Sequence, residues 1–462
     1  MIEVNSRNDQ TIAILGLGLS GMASAKALRA SGAGVVVWDD NPELVARAKK
    51  DGFVASKPTE AELEKADALL VSPGISFSVM PHPAVTAARA IGKPIIGDIE
   101  LLAENIGDTR LIAVTGTNGK STTTSLIHHI LNASNICCQI GGNIGNPVLN
   151  LAPPAPNQTL VLELSSFQLD LIDKTAFDIS VLINISPDHL DRHGSMDDYI
   201  SAKKRIFLNN QRSAAGIAIV GIDDAESGEI FEELSQRRNW KRIPISIKKR
   251  PSNGVFVHNH ILTDGQSGEN REICDLTQSG NLLGTHNHQN IACAYAACIP
   301  CGVTKIQFLD GLNSFPGLPH RLEKIGHFKN FEIINDSKAT NVAAAITALS
   351  TFNNILWIAG GRNKGEVYRP FLNHISKVRH AFLIGEAASD IATALEGAVP
   401  TTISKTLENA TWQAISAARE TNNVTTILFS PGCASFDQFS NFSHRGEVFK
   451  EIVGNLARKS EE

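Results

Sequence analysis

The sequence predicts a three-domain α/β protein, and three observations carry that expectation. Short apolar or β-branched runs alternate with helical patterns along the chain, as in parallel sheets covered by helices. Polar or glycine-rich turns follow many of those runs, where an open parallel sheet places its ligands. The length, 462 residues, allows two to four domains that each bury a core, and the pattern breaks near Gly97-Asp98-Ile99 and at Pro316-Gly317-Leu318-Pro319. The expected domains are therefore residues 1–98, 99–317 and 318–462.

The first domain opens with a strand over Thr11 to Leu15, then Gly16-Leu17-Gly18-Leu19-Ser20-Gly21, then a helix through Leu28. Strands over Val35 to Trp38 and Ala68 to Val71 end in Asp39-Asp40-Asn41 and Ser72-Pro73-Gly74, so three turns face one crevice. The spacing G-x-G-x-x-G with an acid about 20 residues on is the pattern of a dinucleotide site. The same glycines also serve a tight turn alone, or the diphosphate of another nucleotide, and periodicity does not separate the three.

The central domain carries the most specific signal. Leu111 to Val114 reads as a buried strand, Gly116-Thr117-Asn118-Gly119-Lys120-Ser121-Thr122 as a curled loop, and Thr122 to Leu131 as a helix. Backbone N–H groups at such a helix start face an anion, Lys120 adds a point charge, and the Ser121 hydroxyl reaches a bound Mg²⁺. The first glycine stands two residues closer to Gly-Lys-Ser than in the common phosphate loop, which makes this a variant. Further strands are expected over Ile136 to Ile140, Thr159 to Leu164, Ile179 to Asn184 and Ile217 to Val220. Glu163 closes one of them, and a charge after three apolar residues is best explained by an ion, because an unpaired buried carboxylate is costly. After the next come Asp188-His189-Leu190-Asp191-Arg192, where the aspartates can orient the histidine, and then a basic helical turn that includes Lys203. An uncharged lysine can add CO₂ to become a metal-binding carbamate, but composition alone reads that turn as a solvated cationic face.

The third domain is expected to hold strands over Phe331 to Asn335, Ile355 to Ala359, Ala381 to Ile384 and Thr425 to Phe429. Turns rich in polar residues or glycine follow three of these, at Asp336-Ser337-Lys338, Gly360-Gly361-Arg362 and Ser430-Pro431-Gly432.

Bulk composition narrows the function. A net charge of −5 argues against nucleic acid or an anionic membrane as partner. The polar start and the lack of any run of 18 apolar residues point to the cytoplasm. Seven scattered cysteines do not make a disulfide framework, and Cys293, Cys298 and Cys301 lie in or beside an alanine-rich helical pattern where cysteine acts as a small hydrophobe rather than a zinc ligand.

Taken together, Gly116 to Thr122, Glu163-Leu164-Ser165-Ser166-Phe167-Gln168 and Asp188 to Arg192 resemble the Mur ligase family, ATP-dependent amino-acid ligases of peptidoglycan synthesis. Gly141-Gly142-Asn143-Ile144-Gly145, Asp336-Ser337-Lys338-Ala339-Thr340-Asn341 and Ser430 to Phe439 extend the resemblance over the whole chain. It implies a Rossmann-like N-terminal domain, a central P-loop ATPase-like domain with a parallel sheet, and a Rossmann-like C-terminal domain. Within the family the chain is most similar to the branch that adds D-glutamate to UDP-N-acetylmuramoyl-L-alanine through an acyl phosphate. Leu19, Ser20, Ser72, Pro73, Gly74, Asn143 and His189 are then implied to hold the UDP-linked substrate. Asp40-Asn41 stand where some relatives carry Thr-Arg, so no contact is carried over from that turn. Residues 116–122, Asn290, Arg321 and Asp336 are implied to bind ATP, and Lys338, Thr340, Lys364, Ser435, Phe436 and Phe442 glutamate. Two Mg²⁺ ions are implied, one on Ser121 and Glu163, the other on His189 and a carbamylated Lys203, with Lys120, Glu163, His189 and Lys203 as the catalytic set. A monomer is expected. The alternatives are a related Mur-type or folylpolyglutamate-type ligase, although the latter lacks the N-terminal UDP domain, an NAD-dependent oxidoreductase that leaves the phosphate loop unexplained, and a regulator that has lost catalysis.

Overall fold

The computed structural model describes residues 1–208, 216–237, 239–278, 281–328, 330–363, 365–421 and 423–459. The chain divides into two compact units, residues 1–278 with 286–315, and residues 279–285 with 316–462. Each of the three expected domains contributes its own sheet, and the first two lie in one unit.

The first sheet contains β1 (Thr11–Leu15), β2 (Gly34–Trp38), β3 (Val54–Ala55), β4 (Ala68–Val71) and β5 (Ile95–Ile96), all parallel in the order β3-β2-β1-β4-β5. The order reverses between β1 and β4, so the turns after them, Gly16 to Gly21 and Ser72 to Gly74, flank one switch point.

The second sheet is larger than expected. β6 (Arg110–Thr115), β7 (Cys138–Gly142), β8 (Thr159–Glu163), β9 (Ile179–Leu182), β10 (Gly216–Gly221) and β11 (Trp240–Ser246) are parallel and carry the phosphate loop after β6. β12 (Val255–His258), β13 (Ile261–Asp264) and β14 (Arg271–Asp275) continue it as an antiparallel meander, in the order β14-β13-β12-β11-β10-β9-β6-β8-β7. Strands β6, β8 and β9 are nearly continuous runs of buried residues because helices cover both faces. β6 has β8 and β9 as neighbours, so the residues ending those two strands flank the loop. Val114 is level with Glu163, and Thr115 with Leu182.

One apolar core runs from the first sheet into the second, from Ile12, Ile14 and Leu28 through Ile99 and Leu102 to Leu111, Leu160 and Leu182. Residues before β1 join it: Ile2 and Val4 are buried, and the Ile2 amide donates to the Leu149 carbonyl at 2.9 Å. The helix Asp98–Asn105 forms the seam. Gly97 packs closely there, since a Cβ would lie 3.0 Å from Leu171 Cβ. The buried Glu100 carboxylate accepts from the amides of Asp173, Lys174 and Thr175 at 2.7, 2.9 and 3.0 Å.

In the second unit, β15 (Glu323–His327) pairs antiparallel with β16 (Phe331–Asn335), while β16, β17 (Ile355–Gly360), β18 (Val378–Ile384), β19 (Thr401–Lys405) and β20 (Thr425–Phe429) are parallel, in the order β15-β16-β20-β17-β18-β19. Ile334, Trp357 and Leu383 pack on the helix Val342–Thr351, and Ile333, Ile358 and Phe382 on the opposite face with Ala414 and Phe449. Because β20 returns between β16 and β17, the turns Asp336-Ser337-Lys338, Ser430-Pro431-Gly432 and Gly360-Gly361-Arg362 meet at one end of the sheet. No helix among the described residues is long and apolar enough to cross a membrane.

Candidate active site

The loop Gly116 to Lys120 curls because two of its residues leave ordinary backbone space: Gly116 has φ 158° and Gly119 φ 84°. A side chain at Gly119 would be strained, and its Cβ would lie 2.2 Å from Asn290 Oδ1. The helix Lys120–Ala133 starts directly after it, two residues earlier than the expected Thr122. The loop is held from β9: the Thr117 amide donates to the Asn184 carbonyl and the Asn118 amide to Asn184 Oδ1, both at 2.9 Å. From the other side the buried Asn290 braces it, accepting from Thr123 Oγ1 at 3.2 Å and donating to Asn287 Oδ1 at 2.8 Å. Lys120 Nζ donates to the Gly116 and Thr117 carbonyls at 2.9 and 2.8 Å, folded onto the loop it serves. Ser121 and Thr122 occupy the first helical turn.

Glu163 ends β8 and is 2% exposed. Its Oε1 accepts from Asn143 Nδ2 at 2.7 Å, while its buried Oε2 has no hydrogen-bond partner. A carboxylate oxygen left bare in the interior is costly unless a cation or donor arrives. This residue therefore suits a hard divalent ion, and Asn143 fixes the carboxylate's direction. No three His, Cys, Asp or Glu side chains among the described residues cluster so as to hold a metal.

His189 caps the short helix Leu190–His193 in a left-handed conformation, φ 54°, and half of its side chain is exposed. Its Nε2 lies 3.5 Å from Asp188 Oδ2, as the spacing suggested, and its ring is 5.0 Å from that of Phe167. The expected cationic face at Lys203 is instead interior: the side chain is 1% exposed on the helix Met196–Lys204. Lys203 Nζ donates to the Gly116 carbonyl at 2.9 Å, directly beneath the phosphate loop. Burial first, then the charge of Lys120, hold its pKa well below the ordinary lysine range. Tyr199, whose ring lies 4.8 Å from Lys203 Nζ, shares a hydrogen bond of 3.0 Å with Thr117 Oγ1.

Arg192 was legible only as part of a motif, and the structure gives it a task. Its guanidinium donates to the carbonyls of Pro73 (3.1 Å), Gly74 (2.9 Å) and Ile75 while lying over the Phe167 ring. It ties the Ser72-Pro73-Gly74 turn of the first sheet to the histidine segment of the second. Ser72 Oγ in turn donates to the Gly16 carbonyl at 3.0 Å, next to Leu19 and Ser20 at the start of the helix Leu19–Ala30. Asp39 is spent on this loop: its Oδ2 accepts from the Leu17 amide at 2.6 Å and its Oδ1 from Asn41 at 2.8 Å. That leaves the acid that would mark a dinucleotide site engaged with backbone. Asp40 pairs with His82 Nε2 at 3.0 Å.

In the second unit Asp336 is buried and accepts from Ser430 Oγ at 2.8 Å and the Leu322 amide at 3.2 Å; burial pushes its carboxyl up to about 7. Arg321 sits between two residues of positive φ, His320 (63°) and Leu322 (45°), strain of the kind found at functional turns. Lys338 Nζ lies 3.8 Å from the centre of the Phe442 ring, so these two expected glutamate residues come together. Ser435 is buried, Phe436 is about half exposed and Thr340 is partly buried. Lys364 lies outside the described residues. Arg445 escaped the sequence reading because one arginine on an amphipathic helix looks like a surface charge. It is fully buried and donates to the Ser337 carbonyl (2.9 Å), Ser337 Oγ (3.1 Å) and the carbonyls of Cys433 and Ala434 (3.1 and 3.3 Å), binding two of the three turns together. Cys293 and Cys298 are buried in the helix His286–Cys298, and burial pushes both thiols up.

A variant phosphate loop backed by a buried carboxylate, on a parallel sheet accompanied by two smaller α/β sheets, defines a multidomain ATP-dependent ligase. Three family models match in order: the Mur ligase MurD-like N-terminal domain over residues 10–97, the Mur ligase middle domain over 114–298, and the Mur ligase glutamate ligase domain over 320–433. The chain belongs to the Mur ligase family, whose members are ATP-dependent amide ligases. It is 42% identical to a UDP-N-acetylmuramoylalanine–D-glutamate ligase of Caulobacter vibrioides, over 99% of this chain and 98% of that one. It is also 42% identical to the enzyme of that name from Brucella abortus, over 98% and 97%. Among solved structures, the UDP-N-acetylmuramate-alanine ligase MurC of Thermotoga maritima superposes with a TM-score of 0.57 at 17% identity, covering 97% of this chain and 100% of that one. MurF of Acinetobacter baumannii gives 0.57 at 20% identity, covering 89% and 87%. These two share the fold.

Proposed function

We propose that this protein joins D-glutamate to UDP-N-acetylmuramoyl-L-alanine at the expense of ATP, in cytoplasmic peptidoglycan precursor synthesis, on which cell wall growth, cell shape and division depend. The observation that carries the chemistry is the bare Glu163 oxygen on one side of the phosphate loop with His189 and Lys203 on the other. The choice of substrates rests on the relatives of that name along nearly the whole chain.

A carboxylate and an amine do not condense at neutral pH, because the leaving group would be hydroxide or oxide. Transfer of the ATP γ-phosphoryl group to the alanine carboxylate gives an acyl phosphate and ADP. The glutamate amine then attacks the acyl carbon, and the tetrahedral intermediate collapses to amide and phosphate. In this reading residues 116–122 cradle the ATP phosphates, and Lys120 leaves the Gly116 and Thr117 carbonyls to neutralise charge on the transferring group. Asn290, Arg321 and Asp336 are further ATP contacts. Leu19, Ser20, Ser72, Pro73, Gly74, Asn143 and His189 orient the UDP-linked substrate, with Arg192 holding the 73–75 turn in place. Lys338, Thr340, Lys364, Ser435, Phe436 and Phe442 take the glutamate, whose two carboxylates suit two lysines.

Ser121 with Glu163, and His189 with Lys203, would hold two Mg²⁺ ions, which would supply charge neutralisation at the phosphoryl group. For Lys203 this requires a carbamate, formed when its amine attacks CO₂ and releases a proton; an uncharged buried amine is the form that reacts. Replacing Lys203 by alanine is expected to lower kcat by about 100-fold or more. Added short carboxylic acids should restore part of the rate, and full activity without them would remove the carbamate from the reading.

The reading is tested by phosphate release from ATP. Release should require the UDP-linked muramoyl-alanine substrate and D-glutamate together; release independent of either would overturn it.

A further inference from the structure

Asp98 belongs to no motif used above, yet it occupies the seam between the two sheets of the first unit. It opens the helix Asp98–Asn105, is 3% exposed, and neither carboxylate oxygen meets a donor in full hydrogen-bond geometry. The seam itself is fixed on both sides of it, by the contact of Gly97 with Leu171 and by Glu100 on the amides of 173–175. Asp98 is therefore not a mobile side chain that happens to point inward.

The groups facing the carboxylate are the Ser20 hydroxyl, the Gln168 carboxamide and the amides of the helix's own first turn, and none carries a charge. Ser20 lies in the first turn of the helix Leu19–Ala30, beside the turn assigned above to the UDP end of the substrate. Gln168 spends its carboxamide oxygen on Ser165, accepting from the backbone amide at 3.1 Å, while Ser165 Oγ accepts from the Gln168 amide at 3.2 Å. That leaves its NH₂ for Asp98. The short helix so capped carries Phe167, which lies against His189, His193 and Arg192. One carboxylate thus stands between a residue at the nucleotide end of the substrate and a residue that shapes the reacting end.

We infer that Asp98 is a positioning residue for the UDP-linked substrate, a buried carboxylate placed to accept hydrogen bonds from Ser20 and Gln168 and so to hold both. The inference rests on the function proposed above. An ionised carboxylate can accept from both donors, whereas a protonated one or an asparagine gives up part of that capacity. Burial pushes the Asp98 carboxyl up to about 6, so the ionised form holds at pH 8 and is lost as the pH falls through 6.

The experiment is steady-state kinetics of Asp98→Ala and Asp98→Asn with each of the three substrates varied in turn. For Asp98→Ala, KM for the UDP-linked substrate should rise about tenfold while KM for ATP and glutamate stays within about twofold. Asp98→Asn should fall between the variant and the wild type, and carries the decision if the alanine variant does not fold. Wild-type KM for the UDP-linked substrate should climb toward the Asp98→Asn value as the pH falls through 6, with the asparagine variant flat. An unchanged KM, or equal losses for all three substrates with a lowered Tm, would overturn the inference and leave the function standing. A wild-type enzyme that the UDP-linked substrate does not saturate would overturn both.

Discussion

Glu163 and Asp98 are both buried carboxylates with bare oxygens, and their surroundings separate their consequences. Glu163 already has Asn143 on one oxygen, so Glu163→Gln keeps that bond and places an uncharged NH₂ where the bare oxygen stood. Tm should not fall, since an uncompensated buried charge is removed, while kcat should drop by about 100-fold through loss of the cation. A lower Tm with unchanged kcat would make Glu163 structural. Asp98 answers instead to pH. Its carboxyl sits near 6 when folded and near the ordinary carboxylate value when unfolded, so the charged form costs stability above 6 and nothing below about 4. Asp98→Asn should therefore gain roughly 2–3 kcal/mol of stability at pH 8, shrinking to nothing as the pH falls from 6 to 4. A denaturation series across that range decides it. Neither consequence was legible in the sequence for Asp98, which stands there only in the pattern break at Gly97-Asp98-Ile99. Glu163 was legible, because three apolar residues before it left a charge with no solvent to face.

At the scale of the element, the phosphate loop was readable because its requirements are local. Two glycines, a lysine and the start of a helix must be adjacent in sequence, and each leaves its mark there. Gly119→Ala tests the loop's geometry: a Cβ 2.2 Å from Asn290 Oδ1, at φ 84°, should cost at least about 2 kcal/mol and raise KM for ATP. Wild-type ATP kinetics in that variant would contradict the brace. The β12–β13 hairpin was not readable for the opposite reason. Its two-residue turn, Asn259-His260, takes positive φ at both positions, 48° and 65°, where the usual second residue is glycine. Histidine in that place hides the turn from a sequence reading. Lys203 failed in a similar way: Lys203, Lys204 and Arg205 are alike as letters, and only packing distinguishes the one that is buried.

On the scale of the whole molecule, the three sheets followed from alternation of strand and helix, but the sharing of one core by the first two did not. That sharing depends on contacts far apart in sequence, such as Ile2 with Leu149 and Glu100 with residues 173–175. Ile2 and Val4 stand in a start that reads as polar, and they are core residues. Deleting residues 1–9 should cost roughly 3–6 kcal/mol from those two side chains, read as a lower denaturant midpoint. An unchanged midpoint would mean the segment only rests on the fold. Arg192 lies on this seam and ties the turn after β4 to the histidine segment that follows β9, and Asp98 is buried in the same seam. The central claim is that this scaffold couples ATP cleavage to one amide bond. Its most direct measurement is phosphate released from ATP and Mg²⁺ with UDP-N-acetylmuramoyl-L-alanine, as D-glutamate, L-glutamate or no amino acid is supplied. Sustained release with D-glutamate alone is the predicted result, and release indifferent to the amino acid or to the UDP-linked substrate would contradict it.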